Sequence, residues 1–180
     1  MTKKRAGSAA VEDAMSSAAA AAMTHFEAET MQLVTFLLGE DEYGFHIEHV
    51  QEIIRLRHVH ITAIPNAPTF VEGVINLRGR LVPAVDLRKR FGRPTEMTGR
   101  AARIVVVNVL GRTVGLVVDA VLEVAKVGTL EVEQLPELAA GVGSEFVEGV
   151  CRIDRGLVVV LDLERMFSEE ETGAITDIAE

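Results

Sequence analysis

The sequence predicts an all-β fold built as two small five-stranded barrels in tandem, and three observations carry that prediction. Valine and isoleucine dominate its periodic stretches, and branched side chains pack on a pleated surface better than on a helix. Glycine or polar turns divide the chain into apolar runs about four to eight residues long, which is strand length. Most informative, the chain repeats itself.

The segment Phe70-Val71-Glu72-Gly73-Val74 returns 76 residues later as Phe146-Val147-Glu148-Gly149-Val150. Leu81-Val82, Asp86-Leu87 and Phe91 return at the same offset as Leu157-Val158, Asp162-Leu163 and Phe167, so ten of these 22 positions are identical. Upstream, residues 44–53 align with 115–124 at an offset of 71. The difference between the offsets is five residues of extra loop in the second repeat. Thr129 to Ser144, which holds Pro136, Gly141 and Gly143, is its place.

Strands follow in order from this alignment. The first repeat supplies 32–38, 43–47, 50–56, 72–77 and 80–85; the second supplies 103–110, 113–118, 121–126, 147–153 and 156–161. Gly39 to Glu42 and Gly111-Arg112 occupy equivalent hairpin turns, while Leu87 to Phe91 and Leu163 to Phe167 are short helical turns. Five strands per repeat suffice to curl into a small barrel, which removes sheet edges. Pro83 cannot donate to a ladder, so its strand is expected to be irregular there. Residues 1–31 read as a disordered tail, because no apolar stripe accompanies the alanines at 18–22. The folded body is expected at 32–168. Residues 169–180 form an acidic tail or helix, with Ser168 and Glu171 spaced as a helix cap. Without tail packing, a chain shortened to 32–168 should melt where the full chain does.

Composition narrows the function. Nearly half the residues are hydrophobic, yet tryptophan is absent and tyrosine occurs once, so the core is aliphatic. The net charge of −9 divides as −1 over residues 1–31, −5 over 169–180 and −3 over the body. An acidic chain without a basic stripe is a poor nucleic-acid binder, since phosphate neutralisation supplies most of that affinity. The apolar run at 104–110 is far shorter than the roughly 20 residues of a membrane span, so no direct membrane insertion is expected. Acids at Glu12 and Asp13 interrupt the resemblance of the N-terminus to a signal peptide, and a lone cysteine suits a reducing compartment. The protein is therefore expected in the cytoplasm.

Glu42-Tyr43-Gly44, Val50-Gln51-Glu52-Ile53, Gly73-Val74-Ile75-Asn76-Leu77-Arg78-Gly79, Val82-Pro83-Ala84-Val85-Asp86-Leu87 and Val114-Gly115-Leu116-Val117-Val118-Asp119 resemble, in order and spacing, the signature blocks of the CheW family. The resemblance covers roughly residues 32 to 170. It implies two SH3-like five-stranded barrels, no catalysis and no cofactor. It also implies an adaptor or scaffold in membrane-associated signalling arrays, bridging two partners: the cytoplasmic tip of a methyl-accepting chemoreceptor and the regulatory domain of a CheA-type histidine kinase. The same domain occurs in CheA kinases and CheV proteins, but this chain has no room for a kinase core or a receiver domain. The receptor is expected in an apolar groove between the barrels, as a helix in a trough.

Five residues are candidates for partner binding: Val50, Glu52, Gly73, Arg78 and Gly79. Arg78 aligns with Asp154, so the fold itself does not demand arginine there; an interface arginine is one reading and a surface ion pair the other. Glu52 stands on a neighbouring block and is suited to hold the guanidinium. Gly73 and Gly79 fit either a close backbone approach and a turn, or a partner helix passing near Gly73. Val50 fits either a groove lip or the core. The competing reading is a barrel that binds a small ligand or metal, as sensor or enzyme. Its candidates are Cys151, which aligns with Ile75 and so reads as a buried hydrophobe, and the histidines. His58 and His60 would alternate on one strand face, but no acidic or cysteine ligand neighbours them.

Overall fold

The computed structural model describes residues 29–95, 98–139, 141 and 143–179. Their strands are β1 (Thr30–Leu38), β2 (Asp41–His46), β3 (Val50–Arg55), β4 (Val71–Leu77), β5 (Arg80–Asp86), β6 (Arg103–Val109), β7 (Arg112–Val118), β8 (Ala120–Gly128), β9 (Val147–Ile153) and β10 (Gly156–Leu161). Two single-turn helices, α1 (Leu87–Arg90) and α2 (Leu163–Met166), follow the last strand of each repeat, and α3 (Glu169–Ala179) ends the described chain. Asp86 and Asp162 cap the two short helices with their side chains, which gives the repeated Asp-Leu pair a physical reason.

The strands form two five-stranded sheets, but neither sheet is one repeat. The first runs β8-β1-β2-β10-β9 and the second β3-β6-β7-β5-β4. Each sheet therefore takes the leading hairpin of one repeat and the last three strands of the other, a reciprocal exchange that maps one sheet onto the other. In both sheets one contact is parallel, β10 with β2 and β5 with β7. The edge strands do not pair along their length. Instead the segment that follows one edge strand makes a single bridge to the other: Thr62, beyond β3, pairs with Val74 of β4 in the second sheet, and Glu133, beyond β8, with Val150 of β9 in the first. Each sheet is thus strongly curled without closing as a continuous ladder.

Both faces of the central strands are buried, which is why β6 reads as Arg103-Ile104-Val105-Val106-Val107 with no apolar–polar alternation. Its odd-numbered valines, Val105, Val107 and Val109, join Val34, Phe36, Leu38, Tyr43 and Phe45 of the first sheet in a core shared between the sheets. Ile104 and Val106 face inward into a private core with Ile75, Val82 and Val117. Leu33, Val127, Cys151, Val158 and Val160 fill the first sheet in the same way. Near the junction of the repeats, Arg90 lies 4.6 Å from the Phe70 ring and 4.7 Å from that of Phe146, its repeat counterpart. The same guanidinium donates to the Met166 carbonyl at 2.7 Å and to Glu171 at 3.0 Å.

Several expectations change. β1 begins at Thr30, not Gln32, and pairs Thr30 and Met31 with Gly128 and Val127; the rest of the expected tail, residues 1–28, lies outside the described residues. The C-terminal segment is a helix, and Ile175 on α3 is 1% exposed in the shared core, so the folded body does not stop at 168. Pro83 lies within a regular part of β5, and the irregularity is at Val71/Gly73 instead. Val74, opposite Pro83, spends both its N–H and its carbonyl on Thr62, so the ladder needs no donor from the proline. His58 ends a 3-10 turn (Leu56–His58) and His60 lies outside any strand, so the pair shares no strand face.

Candidate partner-binding site

The hairpin between β4 and β5 explains the Asn-Leu-Arg-Gly run. Arg78 and Gly79 both have positive φ, 51° and 84°, the pattern of a two-residue turn that matches strand twist. The Asn76 side chain accepts a hydrogen bond from Gly79 N at 2.9 Å and stiffens the turn. Arg78 is thereby held at a hairpin tip in a backbone conformation that ordinary side chains avoid, with its side chain 85% exposed. Its Nη2 donates to Glu52 Oε2 on β3 at 3.2 Å, across the opening between the two sheet edges.

Behind that ion pair is a cavity of about 260 Å³, floored by Val82 and Val106 and rimmed by Gln51, Glu52, Arg78 and Arg80. The first sheet treats the corresponding place differently. There Glu123 is the counterpart of Glu52, but its partner at 3.0 Å is Arg155, the counterpart of Gly79. Arg155 also binds Glu42 at 2.7 Å and reaches Thr35 Oγ1 at 3.4 Å; Thr35 is the counterpart of Val106. One mouth has an arginine drawn inward, and the other has its arginine on the rim.

A second tip stands beside the first. Asn108-Val109-Leu110-Gly111 repeats the chemistry: Asn108 accepts from Gly111 N at 3.1 Å, and Leu110 has φ 51°. The parallel register of β5 and β7, Ala84 with Gly115, sets Arg80 level with Gly111. Leu110 and Leu81, 50% and 49% exposed, therefore flank Arg78 on the same end of the second sheet. The reading of the sequence missed both, although the shared Asn-x-x-Gly spacing was there to find Leu110.

The structure brings Val50, Glu52, Arg78 and Gly79 to this end. Val50 pairs with Val107 and is half-buried against the shared core, where the mouth meets the seam between sheets. Gly73 is not there. It is buried in mid-strand at φ 147°, and a Cβ on it would stand 2.0 Å from the Thr62 carbonyl oxygen. The bridge that draws the sheet edges together needs that space. Gly149 makes the same concession to Glu133, so the closed-up backbone accounts for both glycines.

Other polar groups serve the fold. Arg88 is 6% exposed and Asp86 2%; their paired bonds, at 3.1 Å and 2.8 Å, continue through Arg88 Nη1 to Asp119 at 3.1 Å. The Arg88 guanidinium is held above its ordinary pKa, first by its hydrogen bonds to Asp86. Cys151 is buried in the first sheet's core, and burial, then the charges of Glu131 and Glu42, push its thiol up, away from the reactive thiolate. His46 pairs with Glu148 at 2.9 Å, and His49 Nδ1 lies 3.2 Å from the Asn108 carbonyl. Among the described residues, no three His, Cys, Asp or Glu side chains gather closely enough to hold a metal ion. Among the same residues, no helix is long and apolar enough to cross a membrane.

Comparison with known proteins agrees with the sequence blocks. The CheW-like domain matches residues 32–171. A chemotaxis protein CheW of Treponema pallidum (strain Nichols) is 35% identical over 154 residues, covering 83% of this chain and 89% of its own. That of Klebsiella aerogenes is 33% identical over 148 residues, covering 82% and 88%. The crystal structure of the scaffolding protein TtCheW from Thermoanaerobacter tengcongensis superposes with a TM-score of 0.71 at 37% identity, over 78% of this chain and 94% of that one.

Proposed function

The chain belongs to the CheW-like domain family, and from that premise we propose that it is a non-catalytic chemotaxis adaptor. It couples the cytoplasmic tips of chemoreceptors to the regulatory domain of a CheA-type histidine kinase, in the cytoplasm at membrane-associated arrays. The observation that carries this reading is Arg78: the fold presents it at a stiffened tip, and its repeat counterpart is an aspartate in an equally well-formed sheet. An exposed ion pair such as Arg78–Glu52 is worth about 0–1 kcal/mol, so it holds the guanidinium in place and yields it cheaply to a partner. Leu81 and Leu110, exposed at the same end of the sheet, offer apolar surface for a partner that also engages that arginine. Val50, at the edge of the seam, suits the lip of a groove for a receptor helix.

Titration of the full chain against a kinase regulatory domain and, separately, a chemoreceptor cytoplasmic fragment tests the reading. Arg78→Ala should keep its fold and lose at least about 2 kcal/mol, roughly thirtyfold, toward one partner. Val50→Asp should fold, retain the kinase and lose the receptor. Unchanged binding of both partners by folded variants, or no binding by the unaltered chain, refutes it.

A further inference from the structure

The opposite end of the second sheet carries a charge that the fold does not require. Arg55, the last residue of β3, stands directly across the ladder from Arg103, the first of β6. Like charges in that position weaken a sheet. Leu56 N donates to the Ala102 carbonyl at 3.2 Å, which brings Arg57 alongside the turn that carries Arg100. Arg103 is folded over the same turn, its Nη1 donating to the carbonyls of Arg100, Ala101 and Ala102 at 3.4, 2.7 and 3.1 Å respectively. Among the described residues none of the four arginines has a carboxylate within ion-pair distance.

The internal repeat supplies the control. At the offset of 71, Arg55, Arg57, Arg100 and Arg103 correspond to Lys126, Gly128, Glu29 and Gln32. The ladder confirms the equivalence, since Gln32 faces Lys126 as Arg103 faces Arg55. The same place in the same architecture therefore carries no net charge in one sheet and four positive charges in the other.

We propose that this basic end is a contact surface of its own, which takes an acidic segment of a protein partner. Guanidinium forks match carboxylates in shape, and no lysine is present in the cluster. Ile53, exposed on the same face of edge strand β3, offers an apolar contact beside the charges. Long polyanions fit worse: the chain as a whole carries −9, which repels nucleic acid and anionic membranes at long range. The surface lies at the far end of the sheet from Arg78, so it adds a contact beyond the two-partner reading and does not depend on it.

The test uses the full chain and a labelled twelve-residue peptide with glutamate at every second position and leucine or threonine between. The expected result is salt-sensitive binding that is absent for the peptide with glutamine in place of glutamate. The double variant Arg55→Glu/Arg57→Glu should lose about tenfold or more. A second double variant, Arg152→Glu/Arg165→Glu, makes the same change in net charge at exposed arginines elsewhere and should bind as before. If the first double variant does not melt cooperatively, Arg57→Gln takes its place and should weaken binding in the same direction. Failure of the glutamate peptide to bind, equal loss in both double variants, or indifference to glutamine overturns the proposal. So does tighter binding of a single-stranded oligonucleotide or of phosphatidylserine vesicles. Salt-sensitive self-association in sedimentation, abolished by Arg55→Glu/Arg57→Glu, would assign the surface to a second copy and overturn it too.

Discussion

Replacing Arg88 by methionine should be among the most damaging single changes in the molecule. The substitution keeps the length and apolar stem of the side chain but removes its fork. Asp86, 2% exposed, loses the bonds from Arg88 Nε and Nη2 and keeps only the one from Arg88 N at 2.9 Å. Asp119 loses Arg88 Nη1 but keeps Gly39 N at 2.7 Å and some access to water. The cost therefore concentrates on Asp86, an uncompensated buried carboxylate, and such a loss costs about 3–5 kcal/mol. For a domain of this size about 1 kcal/mol moves Tm by roughly 2–4 °C, so the expected fall is about 6–20 °C. Thermal and urea unfolding followed by circular dichroism measure it. The double variant Arg88→Met/Asp86→Asn removes the stranded charge while keeping a helix-capping side chain, and it should recover most of the loss. A fall under about 2 °C for the single variant, or a double variant no more stable than the single, refutes the reasoning.

Three more expectations follow from other parts of the fold. Gly73→Ala should cost several times more than Gly79→Ala: the first meets backbone at 2.0 Å, whereas the second meets nothing within 4 Å and bears only the left-handed strain of about 1 kcal/mol, so chemical denaturation should separate them clearly. Ending the chain at Ser168 should lower Tm by at least about 3 °C, because burial of a side chain such as Ile175 contributes about 1.5–3 kcal/mol, and Arg90 loses Glu171 as well; an unchanged Tm would show α3 to be an ornament. Cys151 has its folded pKa raised above the ordinary 9.0, so the unfolded thiol ionises first and stability should decline as pH rises through and above that value; Cys151→Val should decline less, and a thiol reagent should label the native protein only in denaturant.

Much of the fold was legible because turns and repeats are local. Every expected strand is present within about two residues at each end, since glycine, asparagine and the Asp-Leu caps mark the boundaries. What the repeat alignment could not reveal was partnership: matching residues 44–53 to 115–124 shows that two hairpins are alike, not that each has joined the other's sheet. Arg88 was missed because Arg88-Lys89-Arg90 reads as a solvated run, whereas only the turn of α1 decides that the first of the three points inward. Ile175 was missed for the same reason, as one of two isoleucines in an acidic segment. The basic end was invisible because Arg55 and Arg57 are far along the chain from Arg100 and Arg103, and only the β3–β6 ladder unites them. Of the candidate site, Glu52 and Arg78 were legible as a pair; for Gly73 the close backbone approach was one of two readings, and the sequence could not name the neighbour because Thr62 belongs to a segment without regular structure.

The exchange of hairpins also sets a schedule for synthesis. The β1–β2 hairpin leaves the ribosome first, but its sheet is completed by β8, β9 and β10, the last ending at Leu161. At about 5–20 residues per second, the roughly 115 residues between His46 and Leu161 take about 6–23 s to arrive. During that interval Leu33, whose core partners are Val127, Cys151, Val158 and Val160, has no lasting cover, and an apolar hairpin with open edges is free to pair with another nascent chain. Overproduction from a strong promoter should therefore yield intertwined dimers, in which the leading hairpin of one molecule completes the first sheet of its neighbour.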